Sequence, residues 1–188
     1  MITNVEVTSC GMGVHLKRVC GVIVTGCNFH DNGTTYSNDF DYFHNLYIRQ
    51  CDNSNYSITV TNCQLNNGWS GNGLNLSYNE NIFVENTTAT NNFFRGIRAA
   101  DSTNFTVQFC TVSENGDVGL IANEEINPTL NIDWYSNTAD GNLNGGFTTI
   151  PGVTGLAVDN NACDNTPTNY SFAGSLTQSG NTTCGAPP

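Results

Sequence analysis

One short pattern recurs along nearly the whole chain, and it limits the folds open to this sequence more than any other feature. Written from its first apolar position it reads NVEVTSC, GVIVTGCNFHDNG, YSITVTNCQLNNG, IFVENTTATNN, FTVQFCTVSENG, LNIDWYSNTADG and LAVDNNACDN. The anchoring residues are Val7, Val24, Val60, Val84, Val107, Ile132 and Val158, with spacings of 17, 36, 24, 23, 25 and 26 residues. Such a period is too short for a helical-hairpin repeat, and within each copy apolar and polar residues alternate with the period of two that a strand requires. Asn, Gly, Thr and Ser are abundant while Ala, Leu, Glu and Lys are scarce, so turn formers outweigh helix formers. Each period therefore reads as a coil of short strands and turns.

A second strand precedes each anchor: GVHLK (13–17), NLYIR (45–49), GLNLS (73–77), GIRAA (96–100) and GLIAN (119–123), with GGFTTI (145–150) as a weaker sixth. Alternation turns Val14 and Leu16, Leu46 and Ile48, Leu74 and Leu76, Ile97 and Ala99, and Leu120 and Ala122 inward. One coil cannot bury these residues, but stacked coils can, which is the logic of a solenoid. The expectation is an all-β, parallel β-helix of about seven coils in a single domain over 1–188, with the repeat over about 4–165 and the tail 166–188 as a cap. The N-terminal end starts inside the repeat, so self-association or a longer parent chain is expected to cover it.

The cysteines fit the same frame. Cys10, Cys27, Cys63, Thr87, Cys110 and Tyr135 stand three residues after successive anchors, as one inward column that reads as a packed thiol ladder. Cys20 and Cys51 occupy comparable turns of adjacent coils and are placed to pair, and Cys163 with Cys184 would staple the tail.

The motifs HNLYI and GNGLNLS, two dozen residues apart in the repeat, resemble the right-handed parallel β-helix family of pectate lyases, polygalacturonases, alginate lyases and mannuronan epimerases. The resemblance implies that the strand carrying the G-x-L-x-L motif floors a polysaccharide groove. It implies an extracellular or cell-surface location too. No apolar run reaches membrane-spanning length, and the residues after Met1 lack the basic start and apolar middle of a secretion signal, so an exported form would have lost it.

Charge points to the same face. The chain has 5 Lys and Arg against 16 Asp and Glu, a net charge of −11, which argues against nucleic acid as a partner and requires that any anionic ligand be held by a local patch. The outward positions of the second strand carry His15, Tyr47, Asn75, Arg98 and Ile121, then Lys17, Arg49, Ser77, Ala100 and Asn123. The residues just before it are Met12, His44, Asn72, Arg95 and Val118. Four of the five basic residues and two of the three histidines thus share one face, and only Arg18 and His30 lie elsewhere.

A uronate polymer, the substrate class that the resemblance implies, poses one chemical problem. The proton next to its carboxylate leaves only if that carboxylate is neutralised, by Arg, Lys or a bound Ca²⁺. A base removes the proton, and an acid then protonates either the leaving oxygen (lyase) or the opposite face of the carbon (epimerase). Arg98 and Arg95 are the expected carboxylate grip, through the planar fork of arginine. Tyr47 and His44 are the expected acid/base pair. His15, Lys17 and Arg49 extend the row, and Asn72 and Asn75 are expected to meet sugar hydroxyls. The same residues would serve a non-catalytic carbohydrate-binding or adhesive module, and a purely structural surface module is a further alternative.

The coil between Val24 and Val60 is about a dozen residues longer than its neighbours, and insertions in solenoids favour the binding face. Its Phe40, Tyr42 and Phe43 read as a wall of the groove, and Asp39 and Asp41 as partners of His44. No cofactor is expected; calcium held by Asp39 and Asp41 is the one cation reading. DYFH (41–44) lacks the Pro and Glu of the Asp-Pro-His-Glu signature in some mannuronan epimerases and is not counted as a match. Two groove carboxylates for inverting hydrolysis are not evident, and Glu124 and Glu125 read as solvated.

Overall fold

The computed structural model describes residues 1–33, 43–51 and 55–184. Those residues form strands and turns without a helix, and every strand pairing is parallel. The chain winds through three sheets in turn. The first carries the anchors and includes Val22–Thr25, Ile58–Thr61 and Thr103–Gln108. The second is short and begins with Glu6–Thr8, Asn28–His30 and Gln64–Asn66. The third is the G-x-L-x-L face: Val14–Lys17, Leu46–Cys51, the first part of Leu74–Glu85, Ile97–Ala100, Leu120–Asn123, Phe147–Thr149 and Tyr170–Phe172.

The register on the third sheet follows the expected alternation. Val14, Leu46, Leu74, Ile97, Leu120 and Phe147 form one inward file, with Leu16, Ile48, Leu76, Ala99 and Ala122 beside it. His15, Tyr47, Asn75, Arg98, Ile121 and Thr148 form the outward file between them. From Leu46 to Phe147 the first file is fully buried, so one apolar column runs through five successive coils.

Three anchors differ from the sequence reading. Val24 pairs with Ile2 rather than Val7, which restores a full-length first coil, and Val7 instead faces Phe29 in the second sheet. Val107 pairs with Trp134, two residues beyond Ile132, and Trp134 pairs with Ala157 rather than Val158. The cysteine column changes accordingly. Cys27, Cys63, Thr87 and Cys110 remain in it, Asn137 replaces Tyr135, and Cys10 stands beside Asn32 on the other side of the coil. Cys27, Cys63 and Cys110 are buried free thiols, and Cys10 is an exposed one. Burial pushes the Cys63 thiol up to about 11 and the Cys110 thiol up to about 12. Cys20 is bonded to Cys51 and Cys163 to Cys184. The tail before Cys184 continues the winding, with Ser175–Ser179 pairing onto Thr154–Val158.

Much of the Asn content serves the interior. Asn92, Asn115, Asn142 and Asn165 stack at one inward bend, and the Oδ1 of each of the last three accepts from the side-chain amide of the asparagine one coil before it at 2.7–3.0 Å. Those three also accept the backbone N–H of the preceding asparagine, and all four donate to a backbone carbonyl, as Asn115 does to Ala89 at 3.0 Å. A second ladder runs through Asn137, Asn160 and Asn181. The amide satisfies backbone groups that a sharp turn exposes inside the core, where an orphaned donor or acceptor is costly.

Candidate functional site

On the outer face of the third sheet, Tyr47, Arg49, Asn75, Arg95, Arg98, Asn123 and Glu125 line one depression of about 280 Å³. Strand register fixes its shape. Tyr47, Asn75 and Arg98 stand side by side on three successive coils, and Arg49 lies three coils from Asn123. At a coil spacing of about 4.8 Å the depression is roughly 14 Å long.

Tyr47 is outward in register yet only 3% exposed. His15 stacks flat on it, with ring centres 4.8 Å apart and planes 7° apart, and His44 meets its edge at 5.0 Å. The Arg49 guanidinium lies 5.6 Å from the centre of the same ring. Burial, then the charges of Arg49 and Lys17, hold His15 below its ordinary pKa, so it is neutral at pH 7. Lys17 continues the strand beside Arg49 but stays exposed outside the depression.

The two arginines assigned to a carboxylate from the sequence each meet one supplied by the chain. Arg98 donates from Nε to Asn123 (3.1 Å) and from Nη1 to Asn75 (3.3 Å) and Glu125 (3.1 Å). Arg95 Nε lies 2.8 Å from the Asp117 carboxylate, and its guanidinium lies 3.9 Å from the Phe94 ring centre. Arg49 differs: among the described residues no carboxylate pairs with it and its buried Nε has no hydrogen-bond partner.

Glu125 corrects the reading of the Glu124–Glu125 pair as solvated. Its carboxylate sits in the depression, 35% exposed, accepting from Arg98 and from Ser77 Oγ at 3.2 Å. A hydrogen bond with this carboxylate raises the Tyr78 phenol pKa. The Asp101 carboxylate positions the segment by accepting the backbone N–H groups of Glu125 (2.6 Å) and Ile126 (2.9 Å). The sequence held one signal for it, since Glu125 follows Asn123 at the end of an outward file.

His44 and Asn72 are brought to the site but lie beneath it. His44 is buried, and its Nδ1 accepts the backbone N–H of Asn72 at 3.0 Å. Asn72 is buried too, accepting the Arg95 backbone N–H and donating to Asn75. Both therefore position residues of the depression. Phe40, Tyr42, Asp39 and Asp41 lie outside the described residues. Among those described, no group of three His, Cys, Asp or Glu side chains is arranged to hold a metal ion, and no helix is long and apolar enough to cross a membrane.

A family model described as "Right handed beta helix region" matches residues 34–183. The chain belongs to the right-handed β-helix family. Among solved structures, this β-helix is similar to a double mutant of the periplasmic alginate epimerase AlgG, with TM-score 0.72 and 14% identity over 96% of this chain and 46% of that one. A single mutant of AlgG gives TM-score 0.56 and 12% identity over 94% and 50% of the two chains. The A-module of the Azotobacter vinelandii mannuronan C-5 epimerase AlgE6 aligns with TM-score 0.35 and 16% identity over 100% and 59%. The chain thus spans about half the length of the AlgG structures. A sequence search of curated proteins gives no match.

Proposed function

We propose that this β-helix binds a uronate-containing polysaccharide along the depression and acts on it by removing the proton next to the carboxylate, with β-elimination or epimerisation as the outcome. One observation carries the reading. In a chain of net charge −11, three of the five basic side chains converge with Tyr47 in one cleft, and one of them, Arg49, has no counter-ion among the described residues.

Arg49 receives the substrate carboxylate, and Arg98 and Asn75 stabilise the charge that builds on it as the carbon–hydrogen bond breaks. Tyr47 is the proton-transfer group at the cleft wall, fixed in place by His15 and His44. In elimination the proton leaves C5, the C4–oxygen bond breaks, a C4–C5 double bond forms, and the leaving oxygen takes up a proton. In epimerisation a proton returns to the opposite face of C5. The likeness to alginate epimerases agrees with this substrate class, and the two disulfides agree with a location outside the reducing cytoplasm.

Non-catalytic binding is the second reading, favoured by the carboxylate partners that Arg98 and Arg95 already have. Incubation with a panel of polyuronates in deuterated water separates the two. Catalysis yields unsaturated uronate absorbing in the ultraviolet, or deuterium at C5, and Tyr47→Phe lowers the rate at least about a hundredfold. Neither product from any polymer that binds would leave binding alone.

A further inference from the structure

The cations along the depression differ in how they are compensated. Arg49 lacks a counter-ion among the described residues, and its guanidinium lies 5.6 Å from the centre of the Tyr47 ring. Arg98 is balanced by Glu125, whose carboxylate also accepts from Ser77, the strand neighbour of Arg49, and the neighbouring Arg95 is balanced by Asp117. Among the described residues the cleft therefore holds one cation without a paired carboxylate, although it is long enough for more than one sugar residue. A homopolymer of uronic acids would bring a second carboxylate up to Glu125. That repulsion would act in a cleft half-shielded from water, where charges are screened less than in bulk solvent.

We infer, on the basis of the proposed function above, that the substrate is a heteropolymer in which uronates alternate with uncharged sugars, and that Glu125 is the residue that sets this preference. The uronate carboxylate lies on Arg49. The neighbouring residue presents hydroxyl groups to Glu125, which accepts their hydrogen bonds, and to Asn123 and Asn75. Glu125 suits this task because it is fixed from behind: Arg98 and Ser77 hold its carboxylate, and Asp101 holds its backbone.

The test uses the whole chain and isothermal titration with oligosaccharides of equal length. One set comes from hyaluronan and heparosan, which alternate glucuronate with an N-acetylated sugar, and the other from polymannuronate and polygalacturonate. The wild-type protein should bind an alternating oligosaccharide at least about tenfold more tightly than any homopolymer. Glu125→Gln, which keeps the size and the hydrogen bond to Ser77, should improve homopolymer binding about tenfold and so erase the difference. Arg49→Gln should abolish binding of both sets, with circular dichroism and thermal midpoint showing that each variant is folded. Equal or tighter homopolymer binding by the wild type, or a preference unchanged in folded Glu125→Gln, overturns the inference and leaves the proposed function standing. Absence of binding to every oligosaccharide overturns both.

Discussion

Replacing Asn115 by Ala should be among the most damaging substitutions in this protein, although no apolar contact of note is lost. The Asn115 side chain makes four hydrogen bonds inside the bend: it accepts from the backbone N–H and side-chain amide of Asn92, and donates to the Ala89 carbonyl and to Asn142 Oδ1. Asn142 Oδ1 keeps a donor in the Asn115 backbone N–H, so its loss is partial. The Asn92 N–H and the Ala89 carbonyl are left facing a fully buried gap. At about 1–3 kcal/mol for each orphaned buried group, the expected cost is about 2–6 kcal/mol. Urea denaturation followed by circular dichroism would measure it, with Asn144→Ala, an exposed partner of Asp117 outside the ladder, as the control. A cost under about 1 kcal/mol would refute the claim that the ladder holds the coils together. So would an equal cost for the control.

Two further predictions concern groups away from the cleft. Treatment of the folded protein with DTNB near pH 8 should modify Cys10 quickly, whereas Cys27, Cys63 and Cys110 should react only on unfolding, because burial hides all three and raises the pKa of the last two. Fast release of more than one thiol per folded chain would contradict the packing of that column. His30 is held by Asp31 and, at 3.1 Å, by Glu6 of the preceding coil, and these hydrogen bonds raise its pKa above the ordinary 6.5. Stability from this link is therefore fully present below about pH 6.5 and fades as pH rises through the raised value. His30→Gln should remove that pH dependence, as read by stability at pH values on either side of the transition, and an unchanged profile would exclude the link.

The parts legible in the sequence were those that a period reveals. The inward files on the third sheet, the clustering of cations on its outer face and the Cys20–Cys51 pairing follow from counting residues from one coil to the next. The register failed where counting is degenerate. Ile132 and Trp134 are both buried and two residues apart, so alternation alone does not say which continues the file of Val107. In LAVDN the apolar Leu156 and Val158 outweigh the small Ala157 that in fact points inward. The asparagine ladders were hidden because Asn is read as a turn former, although the recurring NNG was their trace. Glu125 was hidden because only the folded strand end brings it onto Arg98, and the counter-ions of Arg98 and Arg95 changed which arginine is available to a ligand.

Gel electrophoresis of the native protein in matrices containing an anionic polysaccharide reads whether the cleft holds a polyuronate. An acidic protein without a site should pass through such a gel unretarded, since its net charge repels the matrix. Retardation by at least one uronate-containing polysaccharide is expected, lost in Arg49→Gln and weakened at higher salt. Free migration through every such gel, or retardation that Arg49→Gln leaves intact, would contradict binding in the cleft.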